Sequence, residues 1–158
     1  MKNQAFTLIE LLIAILIIGV LAAIAYPQYQ KVVDKARFLQ AVTVFERIWR
    51  AQQQYHLANG TWSTNFEELD FDIPISSTQN SSGKFTFPRG EECWIDKSYG
   101  GCVMRFHGSN TAAYRIYWDT GTKACFVYPA NNERGRALCK AVTGHEGKQE
   151  SVYYTYYF

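Results

Sequence analysis

The chain has 158 residues, 47% of them hydrophobic and 16% aromatic, with 16 basic against 14 acidic residues. A net charge of +2 without a basic stripe gives no argument for nucleic acid as a sequence-specific ligand. A mean hydropathy of −0.22, despite a strongly apolar start, leaves the remainder water-soluble and long enough for one domain of ordinary size.

The first element is the run AFTLIELLIAILIIGVLAAIAYP from Ala5 to Pro27, apolar except for Glu10. As a helix, Phe6 to Tyr26 would span roughly 31 Å, the thickness of a bilayer's hydrocarbon core. A carboxylate near the start of such a span costs up to about 2.5–3.5 kcal/mol, less toward the membrane edge. A secretory signal peptide would need its small-residue cleavage site after the apolar core. Here the small residue at the polar-to-apolar junction is Ala5, before the core, and the helical pattern continues past Pro27.

A short charged leader, a small residue, then Phe6-Thr7-Leu8-Ile9-Glu10, with Gly19 and Pro27 further along, resembles the class III signal of type IV pilins and prepilin-like proteins. The resemblance covers about the first thirty residues. It implies an α+β pilin fold: a long N-terminal helix, apolar in its first half and amphipathic in its second, packed on a small antiparallel sheet. It implies cleavage of residues 1–5 between Ala5 and Phe6 by a prepilin peptidase, and N-methylation of the new Phe6 amine. Ala5 departs from the glycine that is usual before the cut. Residues 6–27 would then be the membrane and filament-core helix, and 28–158 the globular head, with a connecting loop at about 59–83.

Beyond Pro27 the positions Val32, Ala36, Leu39, Val42, Phe45, Ile48, Trp49 and Tyr55 recur at three- and four-residue steps and predict a buried stripe, with the helix ending near Asn59-Gly60. Pro27 lacks an amide donor and predicts a kink. Glu46 stands four residues ahead of Arg50, the favourable order for an ion pair on the exposed side. Residues 60–83 read as loop, with one helical turn near Asn65 to Leu69. Strands are predicted at about 84–88, 92–96, 102–107, 112–118, 123–128 and 152–158, the clearest hairpin turning at Asp119 to Thr122. Residues 131–142 form a short helical or irregular excursion. In the final strand, Tyr154 and Tyr156 would share one face and Tyr153 and Tyr157 the other.

Four cysteines in an exported chain suggest disulfides, and three pairings are open. Cys125 with Cys139 is favoured, because in the resembling pilins a disulfide near the C-terminus bounds a surface loop. Cys93 with Cys102 is expected as a local tie. Zinc is the rival use, against which stands the lack of any close C-x₂₋₄-C pair. Asp119-Thr120-Gly121 matches the aspartic-protease triplet, but it has no second copy and lies at a turn. His56, His107 and His145 are scattered, so no metal, cofactor or catalytic residue is expected.

The family resemblance implies a structural subunit of a type IV pilus, not an enzyme. It would wait in the inner membrane, in contact with lipid, and be polymerised by the pilus assembly machinery into an extracellular homopolymer serving adhesion, motility or DNA uptake. Glu10 would pair with the Phe6 amine of a neighbouring copy and set the register, while Pro27 shapes the helix for the bundle. The alternatives are a minor pilin, a type II secretion pseudopilin and a single-pass anchored binding protein. Pseudopilins often lack cysteines and carry an Asp-rich calcium site near the C-terminus, whereas here the last forty residues hold Asp119 only.

Overall fold

The computed structural model describes residues 7–74, 76–106 and 111–158. The chain forms two compact units, the first ending at Asp34 and the second covering Lys35–Phe158. Helix α1, Leu8–Asn59, contributes to both, and its helical assignment runs through Pro27 without interruption. Within the second unit, the helix supplies one layer and an antiparallel sheet the other.

Eight strands occur among the described residues: β1 Thr78–Ser81, β2 Lys84–Thr86, β3 Glu92–Ile95, β4 Tyr99–Arg105, β5 Thr111–Tyr117, β6 Lys123–Tyr128, β7 Lys148–Glu150 and β8 Tyr153–Tyr157. They lie in the order β1-β2-β3-β4-β5-β6-β8-β7, every pair antiparallel. A 3-10 turn at Phe66–Glu68 follows α1, and helix α2, Glu133–Thr143, precedes β7. The fold is α+β and pilin-like, as the sequence implied.

Local chemistry accounts for the boundaries. Gly60 takes a left-handed φ of 72° and its amide returns to the His56 carbonyl, closing α1. α2 starts at Asn132, whose Oδ1 accepts from the Gly135 amide at 3.0 Å, and stops at left-handed Gly144. The Asp119-Thr120-Gly121 triplet is the β5–β6 turn, where Asp119 accepts a hydrogen bond from the Trp62 indole at 3.2 Å.

The buried stripe of α1 in this unit is Phe38, Ala41, Phe45, Ile48, Ala51 and Gln52. Of the predicted stripe, Phe45 and Ile48 are buried and Val42, Trp49 and Tyr55 are partly buried against the core, but toward the N-terminus it drifts off the face. Leu39 is 39% exposed, while Phe38 beside it is buried. The observed spacing holds one line along a 3.6-residue helix, whereas the predicted one, run back to Val32, had turned away from it. Phe45 meets Tyr114 edge-on and stacks on Trp118, which stacks in turn on Trp49.

Three further corrections concern the sheet and the helix surface. β4 begins at Tyr99, earlier than its apolar pattern announces. Gly100 belongs to the strand because a Cβ there would lie 2.8 Å from the Phe45 ring and 2.7 Å from the Trp118 ring. β1 and β7 went unrecognised because edge strands that do not line the core need no apolar alternation, and both are polar. Glu46 faces the sheet, accepting the Tyr114 hydroxyl and pairing with Lys123 at 2.7 Å. Alternation in β8 is as expected: Tyr156 is buried and Tyr157 half exposed.

Several polar side chains of this unit are buried, Gln52 and Thr155 most completely. Gln52 is fully buried; its Nε2 donates to the Ser63 carbonyl at 2.7 Å and its Oε1 accepts from the Ser63 amide at 3.0 Å. These two bonds fasten the post-helix loop to α1 as a backbone pair would. Gln52→Leu strands both Ser63 groups and should destabilise the second unit by about 2–4 kcal/mol, read as a lower denaturation midpoint. An unchanged midpoint would mean the loop is held by other contacts.

Tyr114 offers a pH test. Burial, then its bond to Glu46, pushes its hydroxyl well above the ordinary tyrosine value. The fold therefore favours the neutral form, and that stability is complete below about pH 10, where the unfolded tyrosine titrates. It is lost as pH rises from there toward the folded value. The denaturation midpoint should fall above about pH 10, and Tyr114→Phe should fall less steeply. Equal alkaline slopes would contradict this.

Candidate functional site

Thr7 and Glu10 bracket the first turn of α1. The Thr7 amide and hydroxyl donate to Glu10 Oε2 at 2.9 and 2.7 Å, and Thr7 Oγ1 accepts from the Glu10 amide at 3.3 Å. This is a capping box, in which a Thr and a Glu three residues apart satisfy one another's amide donors at a helix start. Its Thr-x-x-Glu signature is present in the sequence, but the role of Thr7 was missed there, because Glu10 was weighed only as a charge needing a positive partner. The first turn thus gives Glu10 two hydrogen bonds within its own chain.

Behind this turn the helix is uncovered. The large apolar side chains from Leu8 to Ile24 range from 49 to 82% exposed. The helix is long and apolar enough to cross a membrane. Gly19 and Ala23 lie one turn apart, and nothing approaches the place a Gly19 Cβ would occupy. A small-x-x-x-small pair of this kind lets another helix come close. Pro27 lies about 26 Å along the axis from Glu10 and stays helical. Ala5 and Phe6, the expected cleavage and methylation positions, lie outside the described residues, as does His107.

In the second unit the four cysteines form two bonds. Cys93 and Cys102 face one another across β3 and β4, and Cys125 of β6 is joined to Cys139 of α2. All four are buried and bonded, which leaves no thiolate for zinc. The Cys125–Cys139 bond closes a loop worth about 3 kcal/mol in the chain-entropy account and holds α2 on the sheet. His56 stacks on Trp62 at 3.9 Å, and His145 is exposed. Among the described residues, no three or more His, Cys, Asp or Glu side chains gather as a metal site would require.

The family model described as the prokaryotic N-terminal methylation motif matches residues 1–26. The chain is 35% identical over 83 residues to a fimbrial protein of Neisseria meningitidis, an alignment covering 52% of this chain and 46% of that one. It is 42% identical over 63 residues to a type IV major pilin of Neisseria gonorrhoeae, covering 40% and 38%. With a type IV major pilin of Myxococcus xanthus it shares 36% identity over 70 residues, covering 44% and 32%. The chain spans less than half the length of these relatives. The chain therefore carries the prokaryotic N-terminal methylation motif at the start of an apolar helix that continues into an α+β core, and over part of its length it is similar to type IV pilins.

Proposed function

We propose that the chain is a structural subunit of a type IV pilus. It would be made as a precursor, held in the inner membrane by residues 6–27, cut between Ala5 and Phe6 by a prepilin peptidase, and N-methylated at Phe6. The assembly machinery would then polymerise it into an extracellular filament. The observation that carries this reading is the uncovered apolar helix with one carboxylate in its first turn. Lipid covers such a surface as well as protein does, so hydrophobic burial by itself does not move the helix out of the bilayer. A specific interaction absent from the bilayer has to supply the preference.

Glu10 is suited to supply it. Its bonds to Thr7 reduce the cost of holding a carboxylate at the membrane edge without neutralising the charge. In a dry filament core that residual charge is costly unless paired, and the amine exposed at Phe6 by cleavage on another copy is a cation of the right kind. Pairing would cancel both charges and fix the axial offset between copies. The Gly19–Ala23 pair would allow the close helix approach this needs. Relatives named as type IV major pilins support the same reading.

Glu10→Val should insert and be processed like the parent chain, because the apolar span is unharmed, while the filament yield per cell falls by roughly tenfold or more, a loss of at least about 1.4 kcal/mol. Yield measured by shearing and quantification at parental level would sink the pairing role.

A further inference from the structure

On the face of the sheet away from the core, β4, β5 and β6 form a groove. Val103 and Ala113 stand opposite one another on its floor, and Trp94, Phe126, Tyr128 and Tyr153 rise around it. The groove encloses about 1040 Å³, the upper end of the range for small-ligand clefts. Arg115 lies within it. Directly across from Arg115 are Gly101 on one side and Ala124 on the other, so no large side chain stands directly opposite it.

The guanidinium uses that space to pack against two rings, 4.6 Å from the centre of Tyr99 and 4.4 Å from that of Phe126. Its Nε is buried and has no acceptor. No carboxylate pairs with it among the described residues. The other cations lining the groove, Lys84 and Arg105, both lie against Glu92, at 2.9 and 3.7 Å. The groove therefore offers one uncommitted planar cation, aromatic walls, and the hydroxyls of Ser81, Ser82 and Thr111 among its lining groups.

From this combination we infer that the groove binds an acidic pyranose, a sugar ring carrying a carboxylate such as a sialic or uronic acid. A carboxylate matches the fork of donors on a guanidinium, two parallel bonds at once. The C–H face of a pyranose is apolar and suits the electron-rich face of an aromatic ring. Its hydroxyls meet the groove's hydroxyls. A single-stranded nucleic acid fits less well, because its phosphates need a row of cations along the track, and Glu92 occupies that track. An extended peptide has no backbone to pair with, since β3 to β6 are paired on both sides. The inference does not depend on assembly into filaments.

The test uses the full chain in detergent micelles, titrated by calorimetry with 3′-sialyllactose, with methyl glucuronoside, with the methyl ester of each acid, and with a twelve-nucleotide oligothymidylate. At least one acid should bind saturably, at least tenfold more tightly than its ester. Arg115→Gln should weaken that binding tenfold or more, and Tyr128→Ala, on the half-exposed wall, severalfold. If Arg115→Gln does not fold, Arg115→Lys tests the same point, since it keeps the charge and loses the fork. Comparison of the two acids separates a sialic from a uronic source. Lack of saturable binding by either acid, esters binding as well as acids, or oligothymidylate binding more tightly and through Arg115 would each overturn the inference.

Discussion

The first part of α1 presents an apolar surface that its own chain leaves half exposed or more, from Leu8 to Ile24. In water, each such side chain left uncovered forgoes about 1.5–3 kcal/mol, so the surface has to be met by lipid or by other protein. That requirement governs the rest of the molecule. A helix that passes from a lipid-like environment into a water-soluble unit must change its pattern along its length, and α1 does. It is apolar all round before Pro27, and then carries a single buried line from Phe38 to Gln52.

The second unit is fastened to that line by contacts of several kinds. Phe45 and Ile48 bring apolar area, Glu46 takes the Tyr114 hydroxyl and Lys123, and Gln52 holds the loop at Ser63. Gly100 lets the Phe45 ring approach the β4 backbone. On the core face of the sheet the Cys125–Cys139 bond secures α2, whose close seat on β6 uses the missing side chain of Gly135, where a Cβ would lie 2.8 Å from Val127. The sheet thus has one face committed to the core, and its other face carries the Arg115 groove.

Much of this could be read from residues. The apolar run, the end of α1 at Gly60, the β5–β6 hairpin and the alternation in β8 follow from periods of 3.6 and 2 and from turn chemistry. The edge strands β1 and β7 could not, because strands off the core carry no apolar signature. Phe38 was passed over because a stripe is found by phase, and a small error of phase grows along a helix. Glu46 was assigned to Arg50 by helical spacing, although Tyr114 and Lys123, some seventy residues away, outcompete it. The Thr7–Glu10 box was present in the spacing but overlooked, and the Arg115 groove was illegible because its parts come from several strands.

In the function proposed above, the apolar helix belongs in a filament core made of its own copies, and Glu10 is the group that distinguishes that core from lipid. Electron cryomicroscopy of filaments sheared from cells expressing the chain tests it most directly. Leu8 to Tyr26 should pack against other copies along the filament axis, with the Glu10 carboxylate within hydrogen-bond distance of the Phe6 amine of another copy. Filaments with the helices splayed apart, or with Glu10 facing water or only its own Thr7, would contradict it.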